Sequence, residues 1–238
     1  KLFADLQKEG FSRVRIDDNH REKSDWVQSA FDTGIFDHND FRADFIASPL
    51  DKPEDSCGIY FRHGFAVDGE VARAKAYVTA LGMYDFHMNG SKVGDAYFAP
   101  GFLSYNKHLQ VQAYDVTDML RQGENVVGAV VGAGWYKGDL VWKDHRNFSG
   151  SKSALFVQLH ITYKDGRKQV VMTGEDWQSG LGPITFSELY HGETYDANLA
   201  DPNWCNMTEG GHFVKCELIK FDKSVMCMQT GEFVREQE

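Results

Sequence analysis

Apolar and polar residues alternate along most of this chain with the two-residue period of extended strands. Ile59-Tyr60-Phe61-Arg62-His63-Gly64-Phe65, Ala74 to Leu81 (AKAYVTAL) and Tyr84 to Met88 read as three such strands. Asn89-Gly90 follows directly. Both residue types accept positive φ, so the pair predicts a type I′ hairpin with Val93 on the returning strand. His108 to Tyr114 (HLQVQAY) alternates and leads into DVTDMLRQGEN. There Asp115 or Thr117 can cap a short helical turn, Leu120 packs inward and Gly123 ends the turn. Val126 to Val131 (VVGAVV) is a continuous apolar run of strand length, suited to burial on both faces. Ala154 to Tyr163 alternates again, Lys164-Asp165-Gly166-Arg167 turns, and QVVMT returns. Beyond Trp177 the pattern loosens through GPITFSELYHGETYDANLADPNW, and VKCELIKF and the final stretch are strand-like. Helical periodicity is almost absent, and turn signals recur about every 8–12 residues, as in sandwiches. The expectation is an all-β chain.

Before the first strand the chain is polar and irregular, with a charged run from Asp17 to Lys23. Trp26, Phe31, Ile35, Phe41 and Phe45 are spaced there among turn formers, as at the trailing edge of one module and a connector into the next. The 238 residues suffice for a sizeable core, and 42% hydrophobic with 13% aromatic content and 23 Gly suits strands and turns. The formal charge of −10 argues against nucleic acid or an anionic membrane as partner. No apolar run approaches the roughly 18 residues of a membrane span. The opening KLFADLQKEG lacks a signal peptide's apolar core, and the compartment stays open between cytoplasm and export. Cys57, Cys205, Cys216 and Cys227 include no C-x-x-C pair, which argues against zinc and for free thiols, with one disulfide as the alternative. Asn89, Asn147 and Asn206 begin sequons, but Asn89 is already explained by its turn.

Several ordered motifs then carry a resemblance. They are Asn89-Gly90, Val93-Gly94-Asp95, Ala99-Pro100-Gly101, Tyr114 to Thr117, Leu120, Gly123, Asn125, and Gly132 to Gly138 with Trp135 and Tyr136. Further on come Gly182-Pro183-Ile184 and Tyr190 to Ala197 (YHGETYDA). Over residues 26 to 238 the chain resembles the N-terminal β-sandwich region of bacterial α-L-rhamnosidases, family 78 of the glycoside hydrolases. The resemblance implies an antiparallel β-sandwich of jelly-roll (galactose-binding-like) type. It implies a connector and tail of a fibronectin-like module over 1–46, the sandwich over 47–220, and a strand or linker over 221–238. In the resembled family the catalytic carboxylates sit in an (α/α)6 barrel that follows this region, so this chain alone is not expected to be catalytic. Physics explains much of the same pattern without sugar: N-G turns a hairpin, D-V-T caps, and L-x-x-G-x-N ends one turn and opens the next strand.

Two groups of residues carry candidate chemistry. The loop Trp135 to Asn147 (WYKGDLVWKDHRN) gathers aromatic and polar side chains within thirteen positions. Sugars bind by laying a ring face on an aromatic and pairing hydroxyls with polar side chains. Trp142, Asp144, Arg146 and Asn147 are the candidate sugar-binding residues, while Trp135 and Tyr136 are read as packing under the loop. Some relatives of the resembled domain hold rhamnose through calcium, which prefers carboxylate and amide oxygens. Asp139, Asp144 and Asn147 are the candidate metal ligands, although they lack the spacing of a self-contained calcium loop. The second group surrounds Glu188, Tyr190 and His191. Glu193, Tyr195 and Asp196 are its candidates for docking a neighbouring domain or for a secondary sugar contact. Asp95 and Asp115 are read as fixing turns, and His87, between Phe86 and Met88, as facing solvent. His63 and His108 lack a second ligand at useful spacing. The leading reading is an accessory domain whose partners are a rhamnose-containing glycoside and a catalytic domain. A free-standing carbohydrate-binding module and a purely structural domain remain the alternatives.

Overall fold

The computed structural model describes residues 34–35, 37–140, 145–207 and 209–236. The charged run, Trp26 and Phe31 of the expected connector lie outside these. In chain order the strands are β1 (Phe45–Ala47), β2 (Ile59–Val67), β3 (Val71–Leu81), β4 (Met83–Met88), β5 (Ser91–Lys92), β6 (Leu109–Asp115), β7 (Gly123–Gly132) and β8 (Ala154–Tyr163). Then follow β9 (Lys168–Met172), β10 (Gln178–Leu181), β11 (Ile184–Glu188), β12 (Gly192–Tyr195), β13 (Phe213–Lys215), β14 (Glu217–Ile219) and β15 (Met226–Met228). One sheet runs β14-β1-β8-β3-β6-β15, with β9 also against β8; the other runs β13-β10-β2-β7-β4-β5. Pairing is antiparallel except where β15 runs parallel to β6, Met226 opposite Leu109. The expected all-β sandwich is present, with this parallel edge as its departure from a purely antiparallel pattern. No helix among the described residues is long and apolar enough to cross a membrane.

The alternation seen in the chain sorts side chains between two cores. Phe61 of β2, Phe86 of β4, and Val127, Ala129 and Val131 of β7 meet Ala76 and Val78 of β3, Val157 and Leu159 of β8, and Trp177 between the sheets. The opposite face of the seven-stranded sheet is buried too. Tyr77, Leu81 and Phe156 pack there with Phe41, Phe45, Tyr105, Tyr136 and Met226. Strands β3 and β8 are therefore buried on both faces over part of their length, more than their alternating sequences suggest. Buried Gln158 stitches the segment before β1 onto β8. Its Oε1 accepts from the Arg42 and Ala43 amides at 2.8 and 3.1 Å, and its Nε2 donates to the Asp40 carbonyl at 2.9 Å.

The Asn89-Gly90 hairpin forms as expected, with φ of 50° and 82° and His87 opposite Lys92. Its side chain does more than turn the chain. Asn89 Nδ2 donates to the Met119 carbonyl and to Asn125 Oδ1, both at 2.9 Å, while its Oδ1 accepts from the Val126 amide. Fully buried Asn125 in turn accepts from the Arg121 amide and donates to the Arg121 and Gly123 carbonyls. N-G and L-x-x-G-x-N are thus two halves of one hydrogen-bonded joint. The 3-10 turn Thr117–Met119 has Val116 as its N-cap and no side-chain cap. Asp115 instead accepts from the Thr117 amide and hydroxyl, and Thr117 Oγ1 accepts from the Ala74 amide, clipping the turn to β3. Those bonds hold the Asp115 carboxyl below its ordinary pKa. Leu120 is half-buried against the inter-sheet core.

Two further expectations change. The stretch beyond Trp177 that lacked pattern forms β10 and a β11–β12 hairpin. Every residue of β12 is exposed, so no alternation marks it. His87 does not face solvent: it is half-buried, its ring 5.2 Å from that of Trp204. All four cysteines are free thiols. Burial pushes Cys205 up to about 11 and Cys216 to about 12.

Candidate functional site

The loop from β7 to β8 must cross from one sheet to the other, and it opens with one helical turn, Gly134–Lys137. Gly134 has φ +51°, and a Cβ there would lie 2.9 Å from the Met83 amide nitrogen. Trp135 lies half-buried, 6.0 Å from the Phe98 ring and 5.6 Å from that of Phe102. Tyr136 is buried edge-on against Tyr105 at 5.1 Å. Lys137 is buried as well and ion-pairs with Asp51, whose second oxygen accepts from the Ser153 amide at 2.7 Å. One carboxylate therefore ties both ends of the loop together. Gly138 has no room for a side chain: a Cβ would lie 2.5 Å from the Gly134 carbonyl oxygen and against Glu188 Oε2.

Above this base a polar cluster latches the loop onto residues 51–56 and onto the turn of the β11–β12 hairpin. Buried Glu188 accepts from the Ser56 hydroxyl and, at 3.0 Å, from the Asp139 amide. Arg146 Nη2 lies 3.6 Å from Glu188 and donates to the Asp55 carbonyl (3.0 Å) and to Ser56 Oγ (2.8 Å). Asn147, at φ +59°, donates from Nδ2 to the Pro53 carbonyl at 3.2 Å and from its amide to the Lys137 carbonyl at 2.8 Å. Asp139 Oδ2 pairs with His191 Nε2 at 3.1 Å. Among the described residues Asp139 Oδ1, Arg146 Nε and Asn147 Oδ1 are buried without a hydrogen-bond partner.

The structure thus brings together Asp139, Arg146 and Asn147, while Trp142 and Asp144 lie outside the described residues. Among the described residues no three His, Cys, Asp or Glu side chains are placed to share a cation. Asp139 and Asn147 each keep one buried, unpartnered oxygen of the type calcium takes. Glu193, Tyr195 and Asp196 do not join this cluster. Glu193 is exposed opposite Ser187 and lines a cavity of about 240 Å³ with Phe98 and Met83. Tyr195 is 55% exposed, and Asp196 caps a 3-10 turn by accepting from the Asn198 amide at 3.0 Å. Asp51, Ser56 and Lys137 were not singled out in the sequence. Their one local signal is a lysine inside an apolar, glycine-framed turn, the residue type least suited to burial without a partner.

The fold is matched in known proteins. The family model described as the alpha-L-rhamnosidase N-terminal domain matches residues 69–238. An α-L-rhamnosidase of Formosa agariphila is 35% identical over 206 residues, covering 82% of this chain and 22% of that protein. The crystal structure of native α-L-rhamnosidase from Aspergillus terreus superposes with a TM-score of 0.79 at 35% identity, covering 83% of this chain and 23% of that one. That of Streptomyces avermitilis α-L-rhamnosidase complexed with L-rhamnose gives 0.73 at 35% identity, covering 77% and 18%. The chain spans about a fifth of the length of these relatives.

Proposed function

The chain belongs to the alpha-L-rhamnosidase N-terminal domain family, and from that premise we propose that it is a non-catalytic accessory domain of an α-L-rhamnosidase-like glycoside hydrolase. The parent reaction is hydrolysis of terminal α-L-rhamnose from glycosides, carried out by a portion of the enzyme beyond these residues. Such hydrolysis needs two carboxylates flanking the bond, one as acid and one as base or nucleophile. The observation that carries the proposal is the use made of the buried carboxylates here. Asp51 is consumed by Lys137 and Ser153, and Glu188 by Ser56 and the Asp139 amide. They brace a loop rather than face a substrate.

The braced loop presents Arg146 and Asn147, with Trp142 and Asp144 beside them in sequence, to a rhamnosyl sugar. The Streptomyces avermitilis relative, whose structure is a complex with L-rhamnose, supports that ligand class. The buried oxygens of Asp139 and Asn147 suit calcium, which would add ligation for sugar hydroxyls. The exposed β11–β12 hairpin, with Tyr190 and Tyr195 more than half exposed, is the face offered to the catalytic portion.

L-Rhamnose titrated into the chain, followed by amide chemical shifts with calcium and then with chelator, tests this. Binding at about millimolar Kd is expected. Asn147→Ala or Trp142→Ala weakens it, and no aryl rhamnoside is hydrolysed. Turnover by the chain that is lost in Glu188→Gln would overturn the non-catalytic reading, and absence of any rhamnose-dependent shift would overturn the sugar site.

A further inference from the structure

A second cavity, of about 810 Å³, shares no lining residue with the loop cluster. Its size falls within the roughly 300–1,000 Å³ of small-molecule sites. The walls are aromatic: Tyr60 and Trp204 meet edge-to-face at 5.1 Å, with Phe213 and Tyr195 completing them. Leu181 and Leu199, both 53% exposed, extend the apolar lining towards water.

One buried side chain anchors Met207 and Gly210 between the Trp204 and Phe213 walls. Arg62 of β2 is 1% exposed. Its Nη1 donates to the Met207 carbonyl (3.1 Å), its Nη2 to the Gly210 carbonyl (2.7 Å) and its Nε to Gln178 Oε1 (3.1 Å). Its guanidinium lies 3.8 Å from the Phe213 ring centre. The planar, multiply donating guanidinium is suited to holding several carbonyls in fixed positions. The cavity is thus preformed, which lowers the ordering cost of binding.

The chemistry of the lining selects its ligand. Polar groups are few and partly committed: Asn198 Nδ2 donates to Asp196 Oδ1, and Asp201 Oδ1 accepts from the Asn203 amide. Burial, followed by the neighbouring Tyr195 and Glu193, pushes the Tyr60 phenol up to about 12, so it stays neutral. A sugar ring buried here would find few partners for its several hydroxyls beyond Asn198, Asp201 and His212, an expensive outcome. A flat, uncharged ring system meets the aromatic walls without that penalty. We infer that this cavity binds a flat, uncharged aryl group, the aglycone of a glycoside, with its polar substituent directed to Asn198, Asp201 or His212. Calling that group an aglycone rests on the function proposed above; the preference for a flat, uncharged group stands on the lining alone.

Umbelliferone, titrated below neutral pH where its phenol is protonated, is the probe, read by its own fluorescence and by the Trp204 indole resonance. Saturable binding is expected, weakened by about tenfold or more in Trp204→Ala and in Leu199→Asp. The second variant alters an exposed side chain and should leave the far-ultraviolet spectrum and melting temperature unchanged. Umbelliferyl α-L-rhamnoside should show the same sensitivity, whereas Asn147→Ala should leave umbelliferone binding unchanged. No saturable binding, binding indifferent to both cavity variants, or displacement of umbelliferone by L-rhamnose would each overturn the inference. Umbelliferone binding without any rhamnose binding would instead sink only the sugar site of the loop.

Discussion

Replacing Lys137 by Met keeps an unbranched stem in the same space and deletes the charge. The side chains of Lys137 and Asp51 are each 1% exposed, so Asp51 would be left deep in the fold with only the Ser153 amide for company. Removing one partner of a buried ion pair costs about 3–5 kcal/mol, most of it the penalty of the stranded charge. Against a total stability of about 5–15 kcal/mol, that is a large fraction. With a urea dependence of about 2–3 kcal/mol per molar, the midpoint should fall by roughly 1–2 M. Adding Asp51→Asn removes the stranded charge while keeping an oxygen for the Ser153 amide, so the double variant should recover most of the loss. Urea unfolding followed by tryptophan fluorescence measures all four corners of this cycle. Hydrogen exchange should also quicken at Asn147, whose amide donates to the Lys137 carbonyl. A single variant costing less than about 1 kcal/mol, or a double variant no more stable than Lys137→Met, would refute the claim that this pair is sealed from water.

Three further outcomes follow from the same geometry. Asn125→Ala leaves the Arg121 amide, the Arg121 and Gly123 carbonyls and Asn89 Nδ2 without their partner. It should cost about 2–3 kcal/mol and lower the melting temperature by roughly 5–10 °C in a thermal scan. Gly138→Ala forces a methyl against Glu188 and the Gly134 carbonyl, so it should destabilise by about 1–3 kcal/mol and free the Asp139 amide to exchange. Burial holds the His87 pKa below its ordinary 6.5, with Asp85 raising and Lys92 lowering it. The unfolded chain therefore protonates first as pH falls. Stability is full above about 6.5, drops below it, and levels off beneath the folded-state value. Urea titrations across that range should show this slope flattened in His87→Gln.

What the chain discloses on its own is what local chemistry decides. The N-G turn and the apolar run of β7 were legible because a turn type and a buried strand each depend on neighbouring residues. The β11–β12 hairpin was not, because its strands bury little and leave no period-two signature. The partners of Lys137, Glu188 and Arg62 were hidden for another reason. Asp51 is 86 residues from Lys137, Ser56 is 132 from Glu188, and Gly210 is 148 from Arg62. Only the sheet topology brings them together. In sequence a Lys, a Glu and an Arg look like solvated charges, and their burial becomes apparent only when a distant partner neutralises them.

The same distinction explains why motifs that carry the family resemblance say little about ligand binding. A chain that crosses between two sheets must satisfy backbone groups it exposes at each crossing. The joint of Asn89 with Asn125 does this between β6 and β7, and the Asp51 strap with Gly134 and Gly138 does it between β7 and β8. These positions are specified by the crossing itself, whatever the domain binds. The residues outside the joints are those they hold in place: Asn147 on the strapped loop, and Trp204 and Leu199 around the cavity that Arg62 braces. A domain built this way can change its ligand by altering a few side chains without disturbing its folding. Substitutions at the braced positions should therefore change binding with little effect on melting temperature, and substitutions at the joints should do the reverse.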